Sequence, residues 1–206
     1  MTVVIGLTGG IGTGKSTAAA MLRELGAVII DSDAIVRELQ APGAPMLTEI
    51  AEAFGSEVIA PDGTLDRAKL GDVVFRDPDA RRTLNSIVHP GVGRESASRL
   101  AAARAAGAPL VVLDIPLLFE TRRGGTPSRA NSGVDAVVVV YAPREKQVSR
   151  QLERNDYDRA EAERRVDSQI SIEDKRKLAD HVIDNSGALQ ETARQVRELY
   201  SALVPS

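Results

Sequence analysis

The 206-residue chain contains no cysteine and no tryptophan. The absence of cysteine excludes disulfide bonds, thiolate nucleophiles and cysteine-ligated metals. Aromatic residues make up only 3% of the sequence, so we do not expect stacking of bases on aromatic rings to be a main means of binding nucleic acid. The chain has two histidines and no HExxH pattern, which argues against a transition-metal site.

Long apolar runs and a large charge of one sign are missing as well. The apolar run at residues 136–141 is far shorter than the roughly 20 residues of a membrane-spanning helix. The N-terminal segment has no basic stretch before its apolar residues, which argues against a signal peptide. A formal net charge of -3 argues against a basic nucleic-acid surface. We therefore expect a cytoplasmic protein without nucleic-acid or membrane partners, while a local basic pocket for a small anion stays open.

The strongest positive signal is the glycine-rich segment at residues 9–16, which fits the GxxxxGKS phosphate-loop pattern. It follows an apolar run at residues 3–7 and precedes helix-forming residues, the context that such a loop requires. Glycines let backbone N–H groups approach phosphate oxygens, Lys15 reaches the β- and γ-phosphates, and the Ser16 hydroxyl can ligate Mg2+. The alternative is a glycine-rich turn that binds nothing. The complete pattern in this context favours nucleotide binding.

Five apolar segments predict the buried strands of a mostly parallel sheet, at residues 3–8, 27–30, 110–114, 137–141 and 181–183. Helical patterns alternate with them, the first at residues 15–25 and the last at residues 189–203. This alternation predicts an α/β fold with helices on both faces of a five-stranded sheet.

Residues 34 to about 107 have helical spacing of apolar residues and no strong strand, which predicts a helical insertion between the second and third strands. The predicted helices cover residues 46–54, 67–75, 78–88 and 91–106. The last two are separated at His89-Pro90, because a proline restricts the residue before it. His89 is by type more often structural than catalytic, and His181 is expected at the surface.

Aspartates follow two of the predicted strands. Asp33 lies just beyond the second strand, at the sheet edge where ligands bind, and we expect it to face the same crevice as Lys15. A carboxylate there can accept the proton of an attacking hydroxyl or hold the water shell of a metal. The alternative is that Asp31 or Asp33 caps the next helix. Asp114 ends the third strand. The sequence leaves two roles open for it, a carboxylate on the metal side of the site or a structural turn residue.

Lys146, Arg150 and Arg154 recur every four residues and so lie along one side of a predicted helix. Like charges at that spacing cost helix stability, which an anionic partner would offset. The alternative is a solvated face, because residues 144–177 hold ten Lys or Arg against nine Asp or Glu. We favour Arg150 or Arg154 as lid residues that stabilise charge in phosphoryl transfer. Three further arginines rank lower: Arg159, Arg164 and Arg165.

Six elements in this order resemble the dephospho-CoA kinase family: GLTGGIGTGKST, IIDSDAIVRE, APGAP, IVHP, PLLFE and ADHVIDNSG. The resemblance runs from about residue 3 to about residue 200. It implies a P-loop kinase fold with a core at residues 1–33, 107–143 and 171–206, a helical substrate-binding domain at 34–106 and a lid at 144–170. It also implies the last step of coenzyme A synthesis, in which ATP with Mg2+ phosphorylates the 3′-hydroxyl of the dephospho-CoA ribose.

The resemblance extends to individual residues. It implies that Asp33 is the catalytic base, that Lys15, Arg150 and Arg154 approach the phosphates, and that Ser16 ligates magnesium. The implied substrate-binding residues are Asp33, His89, Pro116 and Leu117. The implied ATP-binding residues are Gly10, Ile11, Gly12, Thr13, Gly14, Lys15, Ser16, Thr17, Asn185 and Gly187, the last two near the adenine.

One segment departs from the family pattern. Residues 121–133 are longer than the short link expected there and rich in glycine, serine and arginine, which predicts a protruding or disordered loop. Two other functions stay open. One is a kinase of the same fold with a nucleotide or sugar acceptor. The other is a GTPase-type switch, which the missing NKxD-like element disfavours.

Overall fold

The computed structural model describes residues 1–120 and 133–204. The predicted protruding loop at residues 121–133 therefore lies, apart from Gly133, outside the described residues. The described chain forms one five-stranded sheet and nine α-helices, with a short 3-10 helix at Ser56–Val58.

The sheet confirms the five predicted strands. They are β1 (Val3–Gly9), β2 (Val28–Asp31), β3 (Leu110–Asp114), β4 (Ala136–Tyr141) and β5 (His181–Asp184). Their order is β2-β3-β1-β4-β5, with β1 parallel to β3 and β4, and β4 parallel to β5. The carboxyl ends of β1 and β3 therefore reach the same edge of the sheet, where Leu7 pairs with Asp114.

The helices alternate with the strands, as an α/β fold requires. They are α1 (Lys15–Glu24), α2 (Ser32–Leu39), α3 (Pro45–Phe54), α4 (Arg67–Arg76), α5 (Pro78–Ala105), α6 (Arg144–Arg154), α7 (Arg159–Asp167), α8 (Ile172–Lys177) and α9 (Leu189–Leu203). The charged region after α6 contains α7 and α8, for which the sequence offered little apolar periodicity.

By its internal packing, the chain divides into two compact units. The first unit comprises Met1–Ile30 and Ala103–Ser206, and the second comprises Asp31–Ala102. In the first unit, fully buried side chains of the sheet pack with apolar residues of α1 and α9, such as Leu22 and Val196. The β-branched runs of β3 and β4 fit this position because both faces of the sheet are covered. The strand ends are thereby held on a rigid base.

The second unit has its own apolar core, formed by α3, α4, α5 and the 3-10 helix. Its fully or nearly fully buried members include Ile50 and Val58. Helix α4 begins at a side-chain cap, since the Asp66 carboxylate accepts a hydrogen bond from the Lys69 N–H at 3.0 Å. This unit is helical, as the spacing predicted.

Helix α5 corrects the prediction of two helices separated at His89, because it runs without interruption through Pro90. A proline inside a helix removes one hydrogen bond and crowds the preceding turn, at a cost of about 3 kcal/mol. Packing offsets this cost. Ile87 packs against the apolar core of the second unit, and a Cβ on Gly91 would lie only 2.4 Å from the Met46 side chain. Close contact between α5 and α3 thus overrides the local signal of the proline.

Candidate active site

The phosphate-loop segment joins the end of β1 to the start of α1. Gly12 and Gly14 have φ angles of 77° and 86°, which side chains other than glycine rarely adopt. Gly14 is the N-cap of α1, and as a glycine it has no side chain that could accept a hydrogen bond from the first turn. The first turn also contains no acidic residue. The positive end of α1 is therefore left for an external anion.

The space around the loop requires glycine for a second reason. A Cβ on Gly12 would lie 2.6 Å from the Gln147 carbonyl oxygen. A Cβ on Gly14 would lie 2.0 Å from the Asn185 side-chain nitrogen. The loop is thus packed closely against α6 and against the turn that follows β5. These glycines are fixed by both backbone conformation and contact.

Several carbonyl oxygens of the loop are held by donors outside it. The Arg150 Nη1 donates to the carbonyl oxygens of Gly12 and Thr13 at 3.0 and 3.1 Å. The Asn185 side-chain nitrogen donates to the Thr13 oxygen at 2.7 Å. In a trans peptide the C=O and the following N–H point in opposite directions. The held Thr13 carbonyl therefore turns the Gly14 N–H toward the opposite side of the loop.

Two loop N–H groups, those of Ile11 and Thr13, already have protein partners. The Ile11 N–H donates to the Gln169 side-chain oxygen at 3.0 Å. Thr13 turns inward, where its N–H and hydroxyl both donate to the Gly10 carbonyl. The Thr13 side chain is fully buried. Of the predicted ATP-binding residues, Ile11 and Thr13 therefore shape the loop in this conformation, and their contact with ATP stays a prediction.

Arg150 lies against the phosphate loop. Besides its two bonds to the loop, its Nη2 donates to the Asn185 carbonyl at 2.8 Å. Burial and the positive charge of Arg154 both lower the pKa of Arg150 from its ordinary value. The guanidinium stays ionised at neutral pH, because arginine titrates far above 7. Arg150 thus holds the loop in this conformation, and its predicted catalytic role is untested.

The row of cations on α6 has two kinds of member. Lys146 hydrogen-bonds the Ser186 carbonyl through its ammonium group, next to the Arg150 contacts. Arg154 is exposed in the last turn of α6 and has no ion pair or hydrogen bond to the part of the chain that the structure describes. Backbone carbonyls therefore offset the like charges of Lys146 and Arg150. Arg154 is the member of the row that could meet an external anion.

The arginines ranked lower are all engaged on the surface. Arg159 pairs with Glu145 and Glu163, while Arg164 and Arg165 both pair with Glu161. Exposed ion pairs of this kind contribute little to stability.

Lys15 forms an ion pair with Asp114 at the carboxyl edge of the sheet. The side chain of Lys15 is 19% exposed and that of Asp114 is 7% exposed. The parallel pairing of β1 with β3 brings the two together. Asp114 thus contacts the phosphate-loop lysine, which connects it to the site.

Asn185 and the turn after β5 support the loop from the other side. Asn185 is 5% exposed, and its side-chain oxygen accepts a hydrogen bond from the Thr192 hydroxyl at 2.9 Å. Gly187 is exposed, and a Cβ there would meet nothing within 4 Å. Asn185 therefore supports the phosphate loop from a buried position, whereas Gly187 lies at the surface. The predicted adenine contact of this turn is untested.

Pro116 and Leu117 follow β3 in the first unit. The Pro116 carbonyl accepts a hydrogen bond from the Thr8 hydroxyl at 3.1 Å, and Leu117 is 43% exposed. Leu117 therefore presents apolar surface next to the strand that carries Asp114. Its predicted contact with substrate is untested.

In the second unit, Asp31 at the end of β2 and Asp33 in α2 have different roles, which the sequence left open. The Asp31 carboxylate caps α2 by accepting from the N–H groups of Asp33 and Ala34 at 2.8 and 3.1 Å. Asp33 is exposed in the first turn of α2, and its carboxylate has no hydrogen bond or ion pair to a described residue. Asp33 is thus left for another role. His89 is exposed on α5.

A family model described as dephospho-CoA kinase matches residues 3–191. The chain belongs to the dephospho-CoA kinase family. A dephospho-CoA kinase from Geobacter metallireducens is 48% identical over 198 residues, which cover 96% of this chain and 95% of the relative. One from Leifsonia xyli is 49% identical over 97% of this chain and 98% of the relative. The predicted resemblance is confirmed.

Solved structures agree with this assignment. The structure titled TT1252 from Thermus thermophilus has a TM-score of 0.84 and 34% identity, and it covers 100% of this chain and 99% of its own. A dephospho-CoA kinase from Campylobacter jejuni has a TM-score of 0.71 and 26% identity, with 99% and 98% covered. A shikimate kinase from Acinetobacter baumannii, 22% identical with a TM-score of 0.54, shares the fold. The P-loop kinase fold is therefore confirmed.

Sequence reasoning missed three residues that support the loop of this dephospho-CoA kinase family member. Gln147 is 3% exposed and donates to the Ala142 carbonyl at 2.9 Å, while its backbone contacts Gly12. Gln169 binds the Ile11 N–H, and Lys175 donates to the Gly9 carbonyl at 3.1 Å. All three lie in polar segments without a motif. Gln147 lies three residues before Arg150 and therefore on the same side of α6. This spacing was the sequence signal that could have identified Gln147.

The described residues, 1–120 and 133–204, lack two further features. They contain no group of three His, Cys, Asp or Glu side chains arranged to hold a metal ion. They also contain no helix long and apolar enough to cross a membrane.

Proposed function

We propose that the chain transfers the γ-phosphoryl group of ATP to the 3′-hydroxyl of the dephospho-CoA ribose, giving CoA and ADP. The observation that carries the proposal is the phosphate loop. Arg150 donates to two carbonyls of the loop from outside it. The loop ends at Gly14, which is the N-cap of α1, and Lys15 follows directly and pairs with Asp114. This arrangement supports binding of a polyphosphate. Membership of the family supports the choice of acceptor.

In the proposed reaction, the 3′-hydroxyl oxygen bonds to the γ-phosphorus while the bond from that phosphorus to the β–γ bridging oxygen breaks. The hydroxyl proton passes to the Asp33 carboxylate, and ADP leaves with the bridging oxygen. Asp33 suits the role of base because Asp31 does the capping of α2. Lys15 and the N–H groups of the loop stabilise the charge on the transferred group.

Magnesium is expected to accompany ATP. Ser16 is exposed in the first turn of α1, so its hydroxyl would be available to hold a magnesium ion that arrives with ATP. Asp114, whose carboxylate contacts Lys15, would be the second residue to hold the ion. When bound, Mg2+ neutralises charge on the phosphates. We place the enzyme in the cytoplasm.

The domain roles form part of the same proposal. Residues 34–106 would form the domain that binds dephospho-CoA, and residues 144–170 would act as a lid over ATP. Dephospho-CoA would contact His89, Pro116 and Leu117. Arg154 is the lid arginine that we assign to the phosphates, because Arg150 already donates to three backbone carbonyls. Gly10 to Thr17 of the loop would contact the ATP phosphates.

The test is to incubate the purified protein with Mg-ATP and a panel of acceptors: dephospho-CoA, nucleosides, shikimate and gluconate. We expect ADP release with dephospho-CoA only, together with CoA detected by mass spectrometry. No ADP release above background with dephospho-CoA would reject the proposal. Turnover of another acceptor would identify a different kinase of this fold, and a preference for GTP without an acceptor would indicate a switch.

A further inference from the structure

Lys175 on α8 is buried behind the phosphate loop. Its side chain is 0% exposed, and Nζ donates to the Gly9 carbonyl at 3.1 Å. Its counter-ion is Glu120, whose Oε1 lies 2.7 Å from Nζ. Gly9 is the last residue of β1, where the strand becomes the loop. A buried charge thus contacts the entry point of the loop.

Stability alone does not account for this arrangement. Burying an ion pair removes both charges from water, and apolar residues of similar volume often serve stability as well or better. Glu120 Oε2 is also buried and has no hydrogen-bond partner among the described residues. An acceptor left without a donor costs further free energy. Because the ion pair costs free energy, we expect its role to be support of the phosphate loop.

The geometry points to the peptide between Gly9 and Gly10. Because C=O and N–H are antiparallel in a trans peptide, holding the Gly9 oxygen turns the Gly10 N–H away from Lys175. A bond from an ammonium is stronger than one from a neutral donor, so it fixes that peptide firmly.

A second contact from the same part of the chain supports this view. Gln169, just before α8, accepts from the Ile11 N–H, and the Ile170 N–H donates to Glu120 Oε1 at 3.3 Å. Glu120 therefore contacts both Lys175 and the backbone that follows Gln169. The segment 169–175 holds the loop at Gly9 and at Ile11.

We propose that Lys175, with Glu120 as its counter-ion, is a positioning residue that sets the Gly9–Gly10 peptide for binding the phosphates of ATP. It does not touch the nucleotide and acts through the loop backbone. The inference rests on the proposed function for its kinetic readout. Its primary readout is ATP binding, which needs no acceptor.

The decisive variant is Lys175→Met, which keeps length and removes the charge. We expect ATP to bind about tenfold or more weakly by calorimetric titration with Mg-ATP, as loss of a charged hydrogen bond implies. The KM for ATP should rise in parallel, while the KM for dephospho-CoA stays within about twofold of wild type. Lys175→Arg should recover ATP affinity to within about threefold, because arginine keeps a cationic donor.

The matched control is Lys177→Met on the same helix. Lys177 is 74% exposed and pairs with Asp174 at 2.8 Å. Its loss should leave ATP affinity within about twofold of wild type. A merely structural role of Lys175 would lower the melting temperature without changing the affinity of the folded variant for ATP. Wild-type ATP affinity in folded Lys175→Met would therefore overturn the proposal.

If Lys175→Met shows no cooperative thermal unfolding, the Glu120→Gln variant tests the proposal instead. This variant keeps an acceptor for Lys175 but removes the counter-charge, and we expect ATP to bind about threefold to tenfold more weakly. Unchanged affinity in Glu120→Gln would overturn the proposal. A wild-type protein that binds ATP but makes no CoA would reject the proposed function alone, since the binding comparison would still stand.

Discussion

The phosphate loop and the first turn of α2 present their polar groups in opposite ways. The loop is surrounded by protein donors, with Arg150, Asn185 and Lys175 all bonded to its carbonyls. The first turn of α2 carries Asp33, an exposed carboxylate without a described partner. The phosphate loop is thus preorganised by the fold. The first turn of α2 presents a carboxylate without a described partner, which an acceptor would have to engage.

The largest effect that tests this contrast is expected from Lys15→Ala on the ATP side. The variant removes the cation beside the transferred phosphoryl group, so kcat should fall by about 1000-fold. Steady-state ADP release with dephospho-CoA measures this. A fall of less than about tenfold would contradict the role of Lys15 in the transition state.

On the acceptor side, Asp33→Asn should lower kcat by about 100-fold, the usual scale for a positioned general base. ATP affinity should change little, because Asp33 is not part of the loop. Asp31→Asn is the matched control: asparagine still caps a helix, so turnover should stay near wild type. A near-normal kcat in Asp33→Asn would remove the base from the mechanism.

The close packing of the phosphate loop also predicts which glycines tolerate a side chain. Gly14→Ala should lower the free energy of unfolding by about 2 kcal/mol, because φ is positive and the new Cβ would meet Asn185. Its ATP affinity should fall as well. Gly93→Ala on α5 meets nothing within 4 Å and should raise stability by up to about 1 kcal/mol. Thermal unfolding of both variants with and without ATP measures these effects, and equal stabilities would count against a packed loop.

The smallest effect is expected at the end of α6. Arg154→Met should lower kcat by about tenfold without changing the melting temperature, because Arg154 has no partner among the described residues. Arg164→Met removes an exposed pair with Glu161 and should change neither property measurably. Equal kcat values for the two variants would leave Arg154 without a role in the reaction.

The sequence predicted the elements that have a strong local signal. The strands were found because β-branched runs mark buried parallel strands, and the loop because glycines and Lys15 follow a fixed spacing. The supports of the loop were not found. Gln147, Gln169 and Lys175 contact it from segments more than 130 residues away, and no local pattern marks such contacts.

Two local signals were wrong or ambiguous, each for its own physical reason. Pro90 predicted a break, yet close packing at Gly91 keeps α5 continuous. Asp31 and Asp33 are both good capping residues, and only the backbone geometry shows that Asp31 is the cap. Tertiary contacts decided the first, and local conformation decided the second.

The ion pair between Lys15 and Asp114 has a consequence for the nucleotide. We expect Asp114 to compete with phosphate for Lys15, because its carboxylate already neutralises the ammonium group that a phosphate would approach. The net gain on binding would then be smaller than the attraction of an unpaired lysine for phosphate, since part of the existing ion pair is given up in exchange. We expect the same exchange to ease the departure of ADP, since Asp114 can take back the ammonium group as the product leaves.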